Sequence, residues 1–191
     1  MNILWDFDGT LFNTYPAYTE ILYEILSHTV SKQDIYNHLK ISFTHAVQYY
    51  DLSEEQVKRL FAMEKAVHPA DTPPFPFVED VVKFADLNVI MTHKPRKDVE
   101  HILKYYDFED YFTEIVAIDD GYPRKPDPAS YIYLHHKYKI DLVIGDREID
   151  IAPAKSIGIK TCLFQNSAPG ADVYLTAYEN FFDLTSIAIN N

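Results

Sequence analysis

Four short apolar runs that each end in polar residues constrain the fold of this chain more than any other feature. They cover residues 3–5, 89–91, 115–118 and 142–144, and a fifth apolar run covers 159–164. Segments with helical patterns lie between them, at 78–86, 96–105, 129–138 and 148–157. Strands that alternate with helices predict a parallel sheet covered by helices on both faces. In such a sheet ligands bind beyond the carboxyl ends of the strands, where these polar residues lie.

A long segment after the first run interrupts this alternation. Its apolar residues recur at helical spacing, and two capping patterns predict helices that begin near residues 32 and 54. These patterns are Ser31 with Asp34 and Ser53 with Gln56. The segment therefore predicts a small helical insertion.

The exit from this insertion, residues 69–76, contains too many prolines for a helix or a central strand and predicts a stiff tether. We therefore expect two domains. An α/β core would comprise residues 1–14 and 75–191, and a helical domain would comprise residues 15–74.

Composition limits the class and the partners of the protein. With 191 residues, of which 47% are apolar, the chain can form one core with a modest insertion. A net charge of -12 argues against nucleic acid as a partner, and the single Cys162 excludes an internal disulfide. No apolar run approaches the roughly 18 residues that span a bilayer. Because Asp6 and Asp8 also fall where the apolar part of a signal peptide would lie, we expect a cytoplasmic protein without membrane contact.

Four aspartates follow strand ends and are candidate ligands for a metal ion. Asp6 and Asp8 follow the first run, and Asp146 and Asp150 follow the fourth. If these two strands are neighbours in the sheet, their carboxylates gather and need a counter-charge. A divalent cation supplies it, and an all-oxygen ligand set favours Mg²⁺. Any one of these aspartates alone is more typical of a helix or turn cap.

Four short motifs occur in order between residues 6 and 150. Asp-x-Asp-Gly-Thr covers residues 6–10, an apolar strand ends in Thr92, Lys125 precedes a proline, and a Gly-Asp pair with a further Asp covers 145–150. The first string alone is expected about once in a thousand chains of this length. In this combination the sequence resembles the haloacid dehalogenase-like hydrolase superfamily.

This resemblance implies a fold and a chemistry. The fold would be α/β, with a Rossmann-like parallel sheet and an inserted helical cap. Asp6 would attack phosphorus and form an aspartyl-phosphate, and Asp8 would serve as general acid and then base. Mg²⁺ would be held by Asp6, the backbone carbonyl of Asp8 and Asp146. Asp150 would orient a metal-bound water or Lys125.

The resemblance also implies a set of phosphate contacts. The Thr92 hydroxyl would donate to a phosphate oxygen, and Lys125 would neutralise charge on the transferring group. Gly9 and Thr10 would present backbone N–H groups. Relatives often carry Asn where this chain has His93, which would contact substrate or cap the next helix. Thr92 alone is also compatible with a helix cap.

In relatives, a turn between the first cap helices selects the leaving group. By position that turn would cover residues 40–44. Lys40 could bind an anionic leaving group, and Phe43 could stack on a base or sugar. A solvated lysine and a core aromatic are the ordinary alternatives.

The sequence therefore predicts a Mg²⁺-dependent phosphatase for a small phosphate monoester, similar to the phosphoglycolate phosphatases. The alternatives are a phosphomutase of the β-phosphoglucomutase type, a nucleotidase or pyrophosphatase, and a signalling or non-catalytic phosphate-binding module. A dehalogenase is disfavoured, because relatives with that activity lack the aspartate at the position of Asp8. The protein would be a monomer or a homodimer.

Overall fold

A six-stranded parallel sheet organises the larger part of the protein in this computed structural model, which describes residues 1–183. The strands are β1 (Asn2–Trp5), β2 (Leu87–Met91), β3 (Phe112–Val116), β4 (Leu142–Gly145), β5 (Lys160–Phe164) and β6 (Val173–Leu175). Their order is β3-β2-β1-β4-β5-β6. Because β1 pairs with both β2 and β4, the carboxyl ends of β1 and β4 are adjacent, with Trp5 opposite Ile144.

Eight α-helices occur within the described residues. They are α1 (Tyr15–Ile25), α2 (Lys32–Ile41), α3 (Phe43–Tyr49), α4 (Glu54–Lys65), α5 (Val78–Phe84), α6 (Arg96–Tyr105), α7 (Ala129–Tyr138) and α8 (Glu148–Ser156). Two of them begin where the capping patterns predict. The Ser31 hydroxyl accepts the Asp34 N–H at the start of α2, and Ser53 forms a complete capping box with Gln56 at the start of α4.

The chain divides into two compact units. One comprises Met1–Phe12 and the chain from Pro74 onward, and it contains the sheet. The other, Asn13–Pro73, contains α1 to α4 and is called the helical unit below. The sequence prediction placed the insertion at residues 15–74.

Apolar residues cover both faces of the sheet. Ile3 and Trp5 lie in one buried cluster and Leu4 lies in another, as the alternation of side chains along a strand requires. All three side chains are fully buried. The predicted α/β class with a parallel, Rossmann-like sheet is confirmed.

Two details of the strands differ from the sequence prediction. The run at 115–118 was predicted as a strand, but β3 ends at Val116 and Ile118 lies in a 3₁₀ turn. The Asp120 carboxylate accepts the Ala117 N–H there, so a local hydrogen bond replaces the strand pairing. The short strand β6 was not predicted at all. Within residues 1–183, we find no helix with the length and apolar character needed to span a membrane.

Candidate active site

Three buried carboxylates meet where β1 and β4 end. Asp6 directly follows β1, and its N–H donates to the Ile144 carbonyl at 2.9 Å, which extends the strand pairing by one residue. Asp146 follows β4, and Asp150 lies in the first turn of α8. One oxygen of each of these three carboxylates lies within 4.8 Å of the others. The strand adjacency on which the metal-site hypothesis depended is therefore present.

The Gly-Asp pair at the end of β4 has a steric explanation. A Cβ atom at Gly145 would lie 2.4 Å from the Cβ of Asp150, so only glycine leaves room for the Asp150 side chain. The Asp150 carboxylate also accepts the Arg147 N–H at 3.1 Å, which satisfies a backbone donor at the start of α8. The spacing of this motif thus places a carboxylate beside the end of β4.

Lys125 links two of the three carboxylates. Its Nζ lies 2.5 Å from Asp6 Oδ1 and 2.9 Å from Asp150 Oδ1, and its side chain has no exposed surface. Burial alone would lower the pKa of Lys125, but the charges of Asp150 and Asp6 hold it above its ordinary value. The ammonium group is therefore charged at neutral pH.

The two carboxylates that share Lys125 differ in their electrostatics. Burial, reinforced by the charge of Asp150, raises the pKa of Asp6 to about 7, although Lys125 and Arg147 act in the opposite direction. Burial also acts to raise the pKa of Asp150, but Arg147 and Lys125 hold it below its ordinary value. The Arg147 guanidinium forms a two-pronged pair with Asp150, at 3.1 and 3.2 Å. Asp150 is thus the fixed anion, and Asp6 is the carboxylate that lacks full charge compensation.

Asp8 is more accessible than the three buried carboxylates. Its side chain is 22% exposed, and its Oδ1 lies 3.5 Å from Nζ of the buried Lys94. A carboxyl group that reaches solvent can exchange protons, as a general acid and base must.

The turn after β1 uses its own backbone donors. Gly9 has a φ of 78°, a conformation that favours glycine, and its N–H donates to the Phe12 carbonyl at 2.8 Å. The Thr10 N–H points to the Phe7 carbonyl at 3.4 Å. The phosphate contacts predicted for these two N–H groups would require them to leave those partners. The Thr10 hydroxyl instead lies 3.4 Å from both Asp6 and Asp146.

The residues after β2 lie beside the Lys125 loop. Thr92 is buried, and its hydroxyl accepts the Lys94 N–H at 3.1 Å, which leaves the hydroxyl hydrogen available to a phosphate oxygen. The possible cap of α6 by Thr92 or His93 is not formed, because Pro95 occupies the N-cap without a side-chain hydrogen bond. His93 Nε2 instead accepts the Lys125 N–H at 2.9 Å.

Comparison with known proteins identifies the family. The profile of the haloacid dehalogenase-like hydrolases matches residues 3–164. The chain belongs to this family. It is 26% identical to pyrophosphatase PpaX of Halalkalibacterium halodurans over 203 aligned positions, which span 97% of this chain and 92% of that protein.

Two further relatives support the assignment to the haloacid dehalogenase-like hydrolases. Phosphoglycolate phosphatase 1 of Pseudomonas aeruginosa is 25% identical over 83% of this chain and 66% of its own length. The crystal structure of a hydrolase from Streptococcus pneumoniae TIGR4 is 30% identical and superposes with a TM-score of 0.63 over 84% of this chain and 90% of that one. The predicted resemblance is confirmed.

The side chains at this site fit the divalent metal ion that the family uses. The negative charge of the three buried carboxylates is only partly compensated by neighbouring cations, as the raised pKa of Asp6 indicates. Carboxylate oxygens are the donors that hard cations prefer. Both oxygens of Asp150 already accept hydrogen bonds, from Lys125 and Arg147, so Asp6 and Asp146 are the better ligands.

The helical unit differs from the prediction for residues 40–44. Lys40 lies in the last turn of α2 and Phe43 begins α3, so Ser42 alone separates the two helices and caps the second. The predicted turn is wrong in its length, because Ser42 accepts the His45 N–H and allows α3 to begin at once. Lys40 Nζ lies 4.9 Å from the centre of the Tyr15 ring. Its contact with substrate stays a prediction.

The sequence analysis assigned no catalytic or binding role to Arg147 or Lys94. Both are paired in the structure, and both pairs involve site carboxylates, namely Asp150 and Asp8. Arg147 precedes Asp150 by three positions at a helix start, and this spacing is the one local signal that indicates the contact. Lys94 approaches Asp8 across 86 positions of the chain, a contact that no local pattern indicates.

Proposed function

We propose that this protein is a Mg²⁺-dependent phosphatase that hydrolyses a small soluble phosphate ester through a phosphorylated Asp6. The observation that carries the proposal is the buried cluster of Asp6, Asp146 and Asp150 with Lys125 bridging two of its members. The relatives named pyrophosphatase and phosphoglycolate phosphatase support a small phosphate compound as substrate. A buried Cys162 suits a reducing compartment, and we propose the cytoplasm.

Asp6 would be the nucleophile that attacks phosphorus. Its backbone is fixed by the strand pairing to β4, and its Oδ1 is fixed by Lys125, so the carboxylate is oriented before substrate arrives. Attack by a carboxylate oxygen on phosphorus releases the alcohol or phosphate leaving group and forms an acyl phosphate. Water then attacks that phosphorus and releases inorganic phosphate.

Asp8 is the acid that such a reaction needs. It would donate a proton to the leaving oxygen in the first step and accept one from water in the second. Lys94 Nζ lies 3.5 Å from Asp8 Oδ1, an ion pair that would orient the Asp8 carboxyl group.

Metal binding completes the proposed site. Asp6, the backbone carbonyl of Asp8 and Asp146 would hold Mg²⁺, and Asp150 would fix Lys125 from outside the ion. When bound, the cation neutralises negative charge on the phosphate and on the nucleophile. Lys125 and the Thr92 hydroxyl would take the remaining phosphate oxygens.

We propose that the helical unit is a cap that selects the leaving group. Its place in the chain, between the first and second motifs, supports this role. In this role Lys40 and Phe43 are the side chains to test first.

Phosphate release from a panel of monoesters, nucleotides and pyrophosphate tests the proposal. We expect Mg²⁺-dependent turnover of one compound far above the rest, loss of turnover with a chelator, and loss in Asp6→Asn. The matched control is Asp110→Asn, which alters an exposed aspartate of the same unit. Equal rates for Asp6→Asn and wild type would refute the nucleophile. Isomerisation of a sugar phosphate without phosphate release would instead assign a phosphomutase.

A further inference from the structure

His93 forms a long-range link that the proposed reaction does not use directly. It follows Thr92 after β2, and its Nε2 accepts the backbone N–H of Lys125 at 2.9 Å. The two residues are 32 positions apart in the chain. This hydrogen bond joins the turn after β2 to the loop that carries the catalytic lysine.

The direction of this hydrogen bond fixes the proton on the ring. A backbone N–H can only donate, so Nε2 carries no hydrogen, and the neutral imidazole must hold its proton on Nδ1. The exposed Arg124 guanidinium lies 3.4 Å from Nδ1 and is also only a donor. Since Nδ1 already carries a hydrogen, this second approach is a contact between two donors and not a hydrogen bond.

The surroundings keep the ring neutral. Burial, together with the positive charges of Lys125, Arg124 and Arg147, lowers the pKa of His93 to about 3, against a smaller opposing effect of Asp150. The ring therefore remains an acceptor at Nε2 throughout the neutral range. A group in this state cannot exchange protons with substrate.

We propose that His93 is a positioning residue that holds the Lys125 loop through a neutral Nε2 acceptor and takes no proton in the reaction. As far as turnover is concerned, the inference rests on the proposed function. It replaces both roles expected for this residue, substrate contact and helix cap, with a third.

The position of Lys125 explains why the link matters. Its ammonium group must reach Asp6 at 2.5 Å and Asp150 at 2.9 Å at the same time. Misplacement of a catalytic group by about 1 Å can cost about a hundredfold in rate, so the position of the loop backbone matters. The hydrogen bond to His93 fixes the backbone of Lys125 itself, so it acts directly on this placement.

Two variants distinguish the effect of the hydrogen-bond acceptor from the effect of the volume of the His93 ring. His93→Gln keeps an acceptor near the place of Nε2, and His93→Leu keeps apolar volume without an acceptor. We expect His93→Leu to lower kcat about tenfold to a hundredfold with little change in KM, and His93→Gln to restore most of kcat. In both variants, kcat should depend on pH in the same way as in the wild-type protein. The control is His101→Leu on the exposed side of α6, with unchanged kinetics.

A second measurement needs no turnover. In protein labelled with ¹⁵N, the hydrogen bond predicts a nitrogen-to-nitrogen scalar coupling between the Lys125 amide and His93 Nε2. The ¹⁵N chemical shifts of the imidazole should also be those of the Nδ1–H tautomer from pH 8 down to pH 5. Absence of the coupling, or the opposite ring form, would overturn the inference even if His93→Leu does not fold.

The outcomes also separate this inference from the proposed function. A wild-type protein that hydrolyses no phosphate compound but shows the coupling would refute the function and leave the link intact. An active wild type with an equally active His93→Leu variant would refute the positioning role alone. A pH limb that disappears in His93→Gln would show that His93 titrates in the reaction, which also contradicts the inference.

Discussion

The carboxyl edge of the sheet and the helical unit use charged residues in opposite ways. At the edge, Asp6, Asp150 and Lys125 form ion pairs with at most 3% of any side chain exposed. In the helical unit, Lys32 pairs with Glu20 while 50% and 60% of their side chains remain exposed. Buried charges depend on their neighbours for solvation, whereas exposed charges are solvated by water.

Because of this difference, we expect changes at the edge of the sheet to affect mainly the reaction, and changes in the helical unit to affect mainly the free energy of unfolding. Each charge at the edge alters the pKa of its neighbours, so we expect a single change there to alter the proposed reaction. The helical unit is held by an apolar cluster that includes Leu22, Ile35, Leu39 and Leu60, so that its stability depends on packing. Variants in the two regions should therefore fail in different assays.

The largest loss of activity is expected from a change at Asp146, at the edge of the sheet. Asp146→Asn removes the buried charge of a proposed metal ligand, and we expect kcat/KM to fall by about a hundredfold or more at fixed Mg²⁺. Raising the Mg²⁺ concentration should recover part of the loss. Steady-state kinetics across a metal titration measures both effects, and a variant with the wild-type metal dependence would remove Asp146 from the ligand set.

A packing change in the helical unit should reduce the free energy of unfolding. Leu39→Ala creates a cavity at a fully buried position, and we expect a loss of about 2–4 kcal/mol in the free energy of unfolding. Ile41→Ala, on the same helix but 54% exposed, is the control. Urea unfolding followed by circular dichroism gives both values. Equal losses for the two variants would contradict the packing account.

A smaller effect is expected in the pH dependence of stability at the edge. Burial raises the pKa of Asp6 from 3.8 to about 7, so the native state holds a proton that the unfolded state releases. In the presence of a chelator, the stability of wild type relative to Asp6→Asn should therefore fall between about pH 4 and pH 7 and then level off. The difference should be on the order of 1 kcal/mol or more. Parallel stability curves for the two proteins would show that Asp6 is fully compensated.

The smallest effect is expected for the exposed ion pair. Lys32→Ala should change the free energy of unfolding by less than about 0.5 kcal/mol, because water replaces the contact with Glu20. Unfolding at low and high salt measures the change. A loss comparable to that of Leu39→Ala would erase the distinction between the two regions.

The sequence predicted correctly those features that depend on residues close together in the chain. The motifs at residues 6–10 and 145–150 follow strands directly, so their place at one edge follows from the fold class. The capping serines likewise act within four residues, and α2 and α4 begin where they indicate.

The missed features depend on contacts between distant residues or on very short elements. The strand β6 has only three residues, too few for periodicity to register. The helix start at Phe43 depends on Ser42 as a shared cap, which the loop prediction did not consider. The hydrogen bond from Lys125 to His93 needs the sheet to bring the two loops together, so no local signal indicates it.

Acid quenching during turnover, followed by peptide mass analysis, shows whether Asp6 becomes phosphorylated. Acyl phosphates survive brief exposure to acid, so we expect a phosphoryl group on the peptide that contains Asp6, present with substrate and Mg²⁺ and absent in Asp6→Asn. Burst kinetics of the leaving group should accompany it. Turnover without any phosphorylated Asp6 peptide, or a phosphoryl group on a different residue, would show that Asp6 is not the nucleophile.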